Sequence, residues 1–225
     1  MEKKTRWIVR LLFLIYMLYI ACTIASNHAV FGFLLLNTFL AYIPIEIAMH
    51  INVHQTKWGF IIMFILWMLF YPNAPYVLTD LFHLAKINPY DSATGLMVFS
   101  LKNWWHFGNL VFSALISSLF GIWSLSHVSD VFANRLHLTK PFFKVLVTVI
   151  LTITSSVGVY VGRFLRLHTV YLFIDPNGVI NELIQMWNAR MLTFVVMITI
   201  LQLSIWLAMN VYRSAINYEE KNHNL

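Results

Sequence analysis

Residues 58–84 read "WGFIIMFILWMLFYPNAPYVLTDLFHL", fourteen almost wholly apolar residues followed at once by two prolines, an asparagine, an aspartate and a histidine. A helix from Trp58 to Tyr71 rises about 1.5 Å per residue and covers about 21 Å, against a hydrocarbon core of about 30 Å. Pro72 disfavours the α conformation at Tyr71, so this helix stops before it has crossed. Pro75 suits the first turn of a new helix, where a missing N–H costs little. Asn73 is placed to cap that helix. Beyond the break, Tyr76, Thr79, Asp80 and His83 recur at helical spacing and share one face, while Val77, Leu78, Leu81, Phe82 and Leu84 take the other. Two readings follow. The polar stripe lies among lipid headgroups, or it faces protein or a water-filled cavity, where irregular backbone and intramembrane acids are tolerated.

The rest of the chain places this segment in a membrane. Of 225 residues, 60% are hydrophobic and 11% charged, with mean hydropathy +0.72, whereas soluble domains carry about a quarter charged residues. The expected fold is all-α: a polytopic helical membrane protein with about six transmembrane spans, near 7–26, 29–49, 58–71, 104–125, 142–162 and 191–212. The third is broken at Pro72–Pro75. One integral membrane domain over 1–225 is expected, because no linker or low-complexity tract interrupts the sequence.

Orientation follows from lysine and arginine placement. Ten of these residues (Lys3, Lys4, Arg6, Arg10, Lys57, Arg135, Lys140, Lys144, Arg213 and Lys221) fall on the side of the N-terminus, and five (Lys86, Lys102, Arg163, Arg166 and Arg190) on the other. Both termini are therefore expected in the cytoplasm of a plasma-membrane protein. The net charge of +6 forms no patch, so nucleic acid is not an expected partner. Cys22 stands alone, which excludes an intrachain disulfide and cysteine-based zinc sites. The opening "MEKKTRWIVRLLFLIYMLYIAC" has the outline of a lipoprotein signal, but Tyr19 occupies a position that wants a small aliphatic residue. An uncleaved first span is expected.

Two longer connections, 72–103 and 163–190, then face outward. "DPNG" (175–178) carries a turn signal, and "VINELIQMWNAR" reads as a short amphipathic lead-in to the last helix. Trp104 and Trp105 suit an interfacial belt. Residues 85–103 are long enough to hide a re-entrant segment.

A second polar cluster closes the fifth span in "SSVGVYVGRFLRLHT" (155–169). Gly158 and Gly162 form a small-xxx-small face. Arg163 and Arg166, three residues apart, point to nearly the same side. Arginines at a span end commonly snorkel to the interface. These two lie where positive charge is disfavoured, so a carboxylate (Asp80, Asp91, Asp175 or Glu182) or a lipid or substrate phosphate, gripped bidentately, is the alternative. Asn37, His106 and Asn109 fall in the outer parts of their spans and can join the same cavity or bond helix to helix. Glu46, near Pro44, reaches the cytoplasmic interface beside His50 or Lys57, or serves a proton-coupled role.

"LFYPNAPYVLTDLFHL" together with "GVYVGRFLR" resembles the bacterial membrane-protein family called domain of unknown function 1361, from "LNTFLAYIP" (36–44) to the turn near Pro176. The resemblance implies an integral membrane protein and supplies no activity. It implies characteristic polar positions at Asn73, Pro75, Tyr76, Thr79, Asp80, His83, Gly162, Arg163 and Arg166. It also implies an Asn-Ser-Trp-Asp-like run after the arginines, where this chain reads "LHTVY" (167–171) without the acid. The arginines here then use another partner or are left for a ligand.

Three functions fit these residues. The first is a membrane-embedded transferase or hydrolase acting at the outer leaflet on a lipid, lipoprotein or envelope precursor. There Asp80 and His83 do acid–base work, and Asn73, Tyr76, Thr79, His106, Asn109, Arg163 and Arg166 bind. No nucleophile motif, H-E-x-x-H or phosphate loop accompanies them. Asp80 and His83 alone do not make a metal site, and no cofactor is expected. The second is a small-solute transporter or channel-like protein whose broken third span lines the route, although no internal repeat relates the two halves. The third is a non-catalytic partner for other envelope proteins, which the sequence does not name.

Overall fold

The structure is a computed structural model that describes residues 2–27, 32–138, 140–165 and 174–223. Within these lie helices α1 (Lys3–Asn27), α2 (Phe33–His50), α3 (Lys57–Phe70), α4 (Asn73–Thr79), α5 (Leu101–Arg135), α6 (Pro141–Tyr160), α7 (Pro176–Gln185) and α8 (Ala189–His223). A 3-10 segment, Asp80–Lys86, prolongs α4, and a π turn, Val161–Leu165, prolongs α6. Among the described residues, six stretches are long and apolar enough to cross a membrane: Lys3–Ile24, Phe33–His50, Lys57–Lys86, Leu101–Arg135, Pro141–Leu165 and Ala189–Glu219.

The third span corrects the sequence reading in two respects. α3 stops at Phe70, as the sterics of Pro72 demand, but the helix resumes after only Tyr71 and Pro72, and the Tyr76 amide already donates to the Pro72 carbonyl at 3.0 Å. The break therefore lies inside a 30-residue span rather than at its end. Asn73 does not cap α4. It is that helix's first residue, and its side-chain amide donates backward to the Phe70 carbonyl at 2.9 Å. Pro72 has no N–H to offer and the chain turns, so carbonyls at the end of α3 lose their helical donors. Asn73 supplies one.

Other boundaries moved for local reasons. α5 runs ten residues beyond the expected end at 125, because nothing between Gly121 and Arg135 breaks a helix. It ends where His137 adopts a left-handed φ of 56° and the Leu138 amide reaches back to the Ala133 carbonyl at 2.9 Å, the closure that glycine usually provides. "DPNG" is a helix start rather than a turn. Asp175 accepts the Gly178 amide at 3.0 Å and Pro176 opens α7, a pairing of capping acid and first-position proline. The lead-in to the last helix is a separate helix, since Asn188 caps a new one by accepting the Met191 amide at 3.0 Å.

The chain divides into two compact units, Met1–His50 with Ile65–Gly121, and Ile51–Phe64 with Ile122–Leu225. In the first, α1 and α4 pack on α2, and Ala41, Ala74, Val77 and Ala114 form a fully buried cluster of small residues with Leu78 and Leu81 against it. Small side chains let helix backbones approach closely where lipid offers no hydrophobic drive for association. α1 is tied to α2 by Arg10, whose Nε donates to Glu46 Oε2 at 3.1 Å and whose Nη2 pairs with Oε1. Tyr42 and His50 bond the same carboxylate. Glu46 thus has His50 as expected, but its main partner, Arg10, comes from another helix.

In the second unit α6 packs along α8. The buried stripe of α6 runs through Thr148, Thr152, Ser155, Ser156 and Val159 and leaves Gly158 and Gly162 only half-buried beside it. The Ser156 hydroxyl accepts from Thr199 Oγ1 and Gln202 Nε2, both at 2.9 Å, with Gln202 fully buried. Such interhelical bonds hold helices together in place of hydrophobic force. Arg135 gathers the carbonyls of Val53 (2.9 Å) and Gln55 (2.8 Å) ahead of α3 and lies over the Phe60 ring at 4.5 Å.

Candidate functional site

The polar stripe of the broken span is turned inward. Thr79 is 4% and Asp80 1% exposed, which favours the protein-facing reading over a stripe among headgroups. The small residues at Ala74 and Ala41 bring α4 close to α2, and Asn37 on α2 then donates from Nδ2 to Asp80 Oδ2 at 2.7 Å. A buried carboxylate is costly unless it accepts such bonds. Thr79 satisfies its own hydroxyl on the Tyr76 carbonyl at 2.7 Å.

His83 is held from two sides. Its Nδ1 lies 3.0 Å from the Asp80 backbone carbonyl, and its ring stands over Phe33 with centroids 4.2 Å apart. A carbonyl only accepts, so Nδ1 carries the proton, and in the neutral ring Nε2 bears the lone pair. The orientation expected from the Asp80 carboxylate comes instead from its carbonyl, while the carboxylate bonds Asn37. Sequence spacing could not separate these, because the 3-10 winding after Thr79 sets which Asp80 oxygen meets the ring.

The other expected positions do different things. Asn73 serves the α3 carbonyl end, and Tyr76 is half-buried on α4. Asn109 ties α1 to α5, donating to the Tyr19 hydroxyl at 3.3 Å while its carbonyl accepts the Tyr16 hydroxyl at 2.8 Å. His106 sits half-buried one turn earlier on α5. Arg163 lies in the π turn after α6, half-buried, in the second unit. Arg166 and "LHTVY" fall outside the described residues. Phe33 was missed by the sequence reading, although it precedes Asn37 by four positions and so shares its face of α2. The buried Thr38–Ser113 hydroxyl pair, 2.8 Å apart, was missed as well.

The architecture defines a polytopic, all-helical membrane protein with a buried carboxylate beside a break in its third span. A family model matches residues 36–205, and the chain belongs to that family, described as "Protein of unknown function (DUF1361)". No curated protein and no solved structure matches the chain.

Proposed function

We propose that this is a bacterial plasma-membrane enzyme, both termini cytoplasmic, that acts at the outer leaflet on a lipid, lipoprotein or envelope precursor. The observation that carries the reading is the 3.0 Å contact of His83 Nδ1 with the Asp80 carbonyl, an acceptor that assigns the proton to Nδ1 and leaves the lone pair on Nε2. A positioned imidazole with its proton on the far nitrogen is what general-base catalysis of hydrolysis or group transfer needs. The buried Asp80, held by Asn37, positions that turn of the chain. Arg163 and Arg166, three residues apart in "GRFLR", are suited to hold a phosphate. The lysine and arginine bias is what supports the orientation.

The test compares envelope lipids and lipoproteins in a deletion strain complemented with the wild-type or the His83→Ala chain at equal membrane abundance. The variant is expected to reproduce the deletion profile, with turnover reduced roughly 100- to 10,000-fold, the usual contribution of a positioned acid–base group. Full complementation by His83→Ala, or a deletion profile identical to wild type, sinks the enzyme.

One observation favours a transporter instead: the helix break lies within the third span, and discontinuous helices mark many transport sites. Solute uptake in proteoliposomes that is lost in Asp80→Asn and retained in His83→Ala would move the assignment there. A stoichiometric protein co-purifying after mild solubilisation would move it to a scaffold.

A further inference from the structure

Helix α7 has 10 residues, too few to span a membrane, and its side chains sort into three arcs. At about 100° per residue, Val179, Leu183 and Met186 fall on one flank and Ile180 and Ile184 on the next. Asn177, Asn181, Glu182 and Gln185 take the remainder. The first flank is packed. Val179 and Met186 are buried, and Leu183 joins Met186 in a cluster with Met191 and Val195 of α8 and Val161 and Leu165 of the π turn. The polar arc is exposed. Between them lies an apolar flank that no part of the described chain covers: Ile180, Ile184 and, just past the helix end, Trp187 are each more than half exposed.

The position of α7 says what covers that flank. Phe164 in the π turn meets Phe194 in α8 with ring centroids 5.0 Å apart, so the close of α6 and the opening of α8 lie at one end of these two spans. On α8 the cluster under α7 reaches only to Val195, about 9 Å along the axis from Ala189. The spans expose large apolar side chains at the same end, with Phe164, Leu192 and Val196 each more than half exposed, as a lipid-facing surface does. A partner helix would want anchors over two turns, at i, i+3, i+4 and i+7, whereas α7 offers two isoleucines one turn apart. Acyl chains need no such register.

We propose that α7 is an interfacial helix, with Ile180, Ile184 and Trp187 seated among the outermost acyl chains of the bilayer where α6 closes and α8 opens. Its packed flank holds it on the spans, and its polar arc faces water, the arrangement expected of a helix lying in the membrane plane. Trp187 suits that depth by its amphipathic ring. No lysine or arginine lies in α7, so the seat is apolar and a lipid without net charge suffices. Val161 and Leu165 share the cluster, so the seat also fixes the depth of the turn that carries Arg163. The proposal does not depend on His83 being a base.

Spin labelling of the full-length protein in phosphatidylcholine nanodiscs tests it. In a Cys22→Ser background, which removes the only cysteine, single labels are placed through Ile180→Cys, Asn181→Cys, Ile184→Cys and Gln185→Cys, all at exposed positions. Labels at 180 and 184 are expected to collide with dissolved oxygen in preference to a water-soluble nickel chelate, at about 5–10 Å below the lipid phosphates. Labels at 181 and 185 are expected to show the reverse preference. Nickel contact at 180 and 184 equal to that at 181 and 185 overturns the proposal, because α7 then stands in water. An immobilised label at 184 shielded from both reagents overturns it too, since protein would then cover the flank.

Discussion

Gly121→Ala is expected to lower the thermal denaturation midpoint of the detergent-solubilised protein, and Ala74→Gly in the same chain to cancel part of that loss. A Cβ at Gly121 would stand 2.7 Å from the Ala74 Cβ, closer than two methyl groups tolerate. Neither atom is the end of a flexible side chain, so a helix must move. Overpacking of this kind costs about 1–3 kcal/mol, and Gly121→Val should cost more. Ala74→Gly alone also destabilises, by about 1 kcal/mol, through helix propensity. The diagnostic quantity is therefore the coupling in the double-mutant cycle. Strictly additive losses would mean that α4 is not seated against α5 by this contact. The prediction matters for the site because Ala74 belongs to the same short helix as Thr79, which leads directly into Asp80.

The second large effect is expected at Asn37. Asn37→Leu removes a donor from a carboxylate that is 1% exposed, and losing a hydrogen bond to a buried charged group costs roughly 1.5–3 kcal/mol. Asp80→Asn in the Asn37→Leu background should recover part of this, because a neutral amide loses less than a carboxylate when the Asn37 donor is removed. Denaturation midpoints of the two single variants and the double variant give the answer. A double variant no more stable than Asn37→Leu alone would show that the Asp80 charge does not depend on Asn37. His83 offers an internal control: its partner is a backbone carbonyl, which neither substitution removes.

Much of the architecture was legible in the sequence because its causes are local. Apolar runs of span length, the steric demand of Pro72 on Tyr71 and the helical spacing of Thr79, Asp80 and His83 act over a few residues. The misread details have local causes too, but competing ones. Asp-Pro opens a turn or caps a helix with the same first two residues, and the apolar continuation through Val179 and Ile180 selected the helix. Asn73 is equally able to cap forward or bond backward. The two-residue gap decided it, since it left the Phe70 carbonyl within reach. The site was less legible than the span that holds it, because spacing identifies a face without saying which oxygen of Asp80 meets His83.

By itself, then, the sequence determined an all-helical chain of six spans and a break behind Tyr71, along with a polar face on the resumed helix. Periodicity, span length and proline sterics need no distant partner. Tertiary structure alone decided that this face turns inward and that Asn37, 43 residues away, meets the Asp80 carboxylate. It also decided that Arg10 rather than Lys57 takes Glu46 and that Phe33 backs His83. In an apolar medium every polar group seeks a partner. Which one it finds depends on the small residues, Ala41, Ala74 and Ala114, that let particular helices approach.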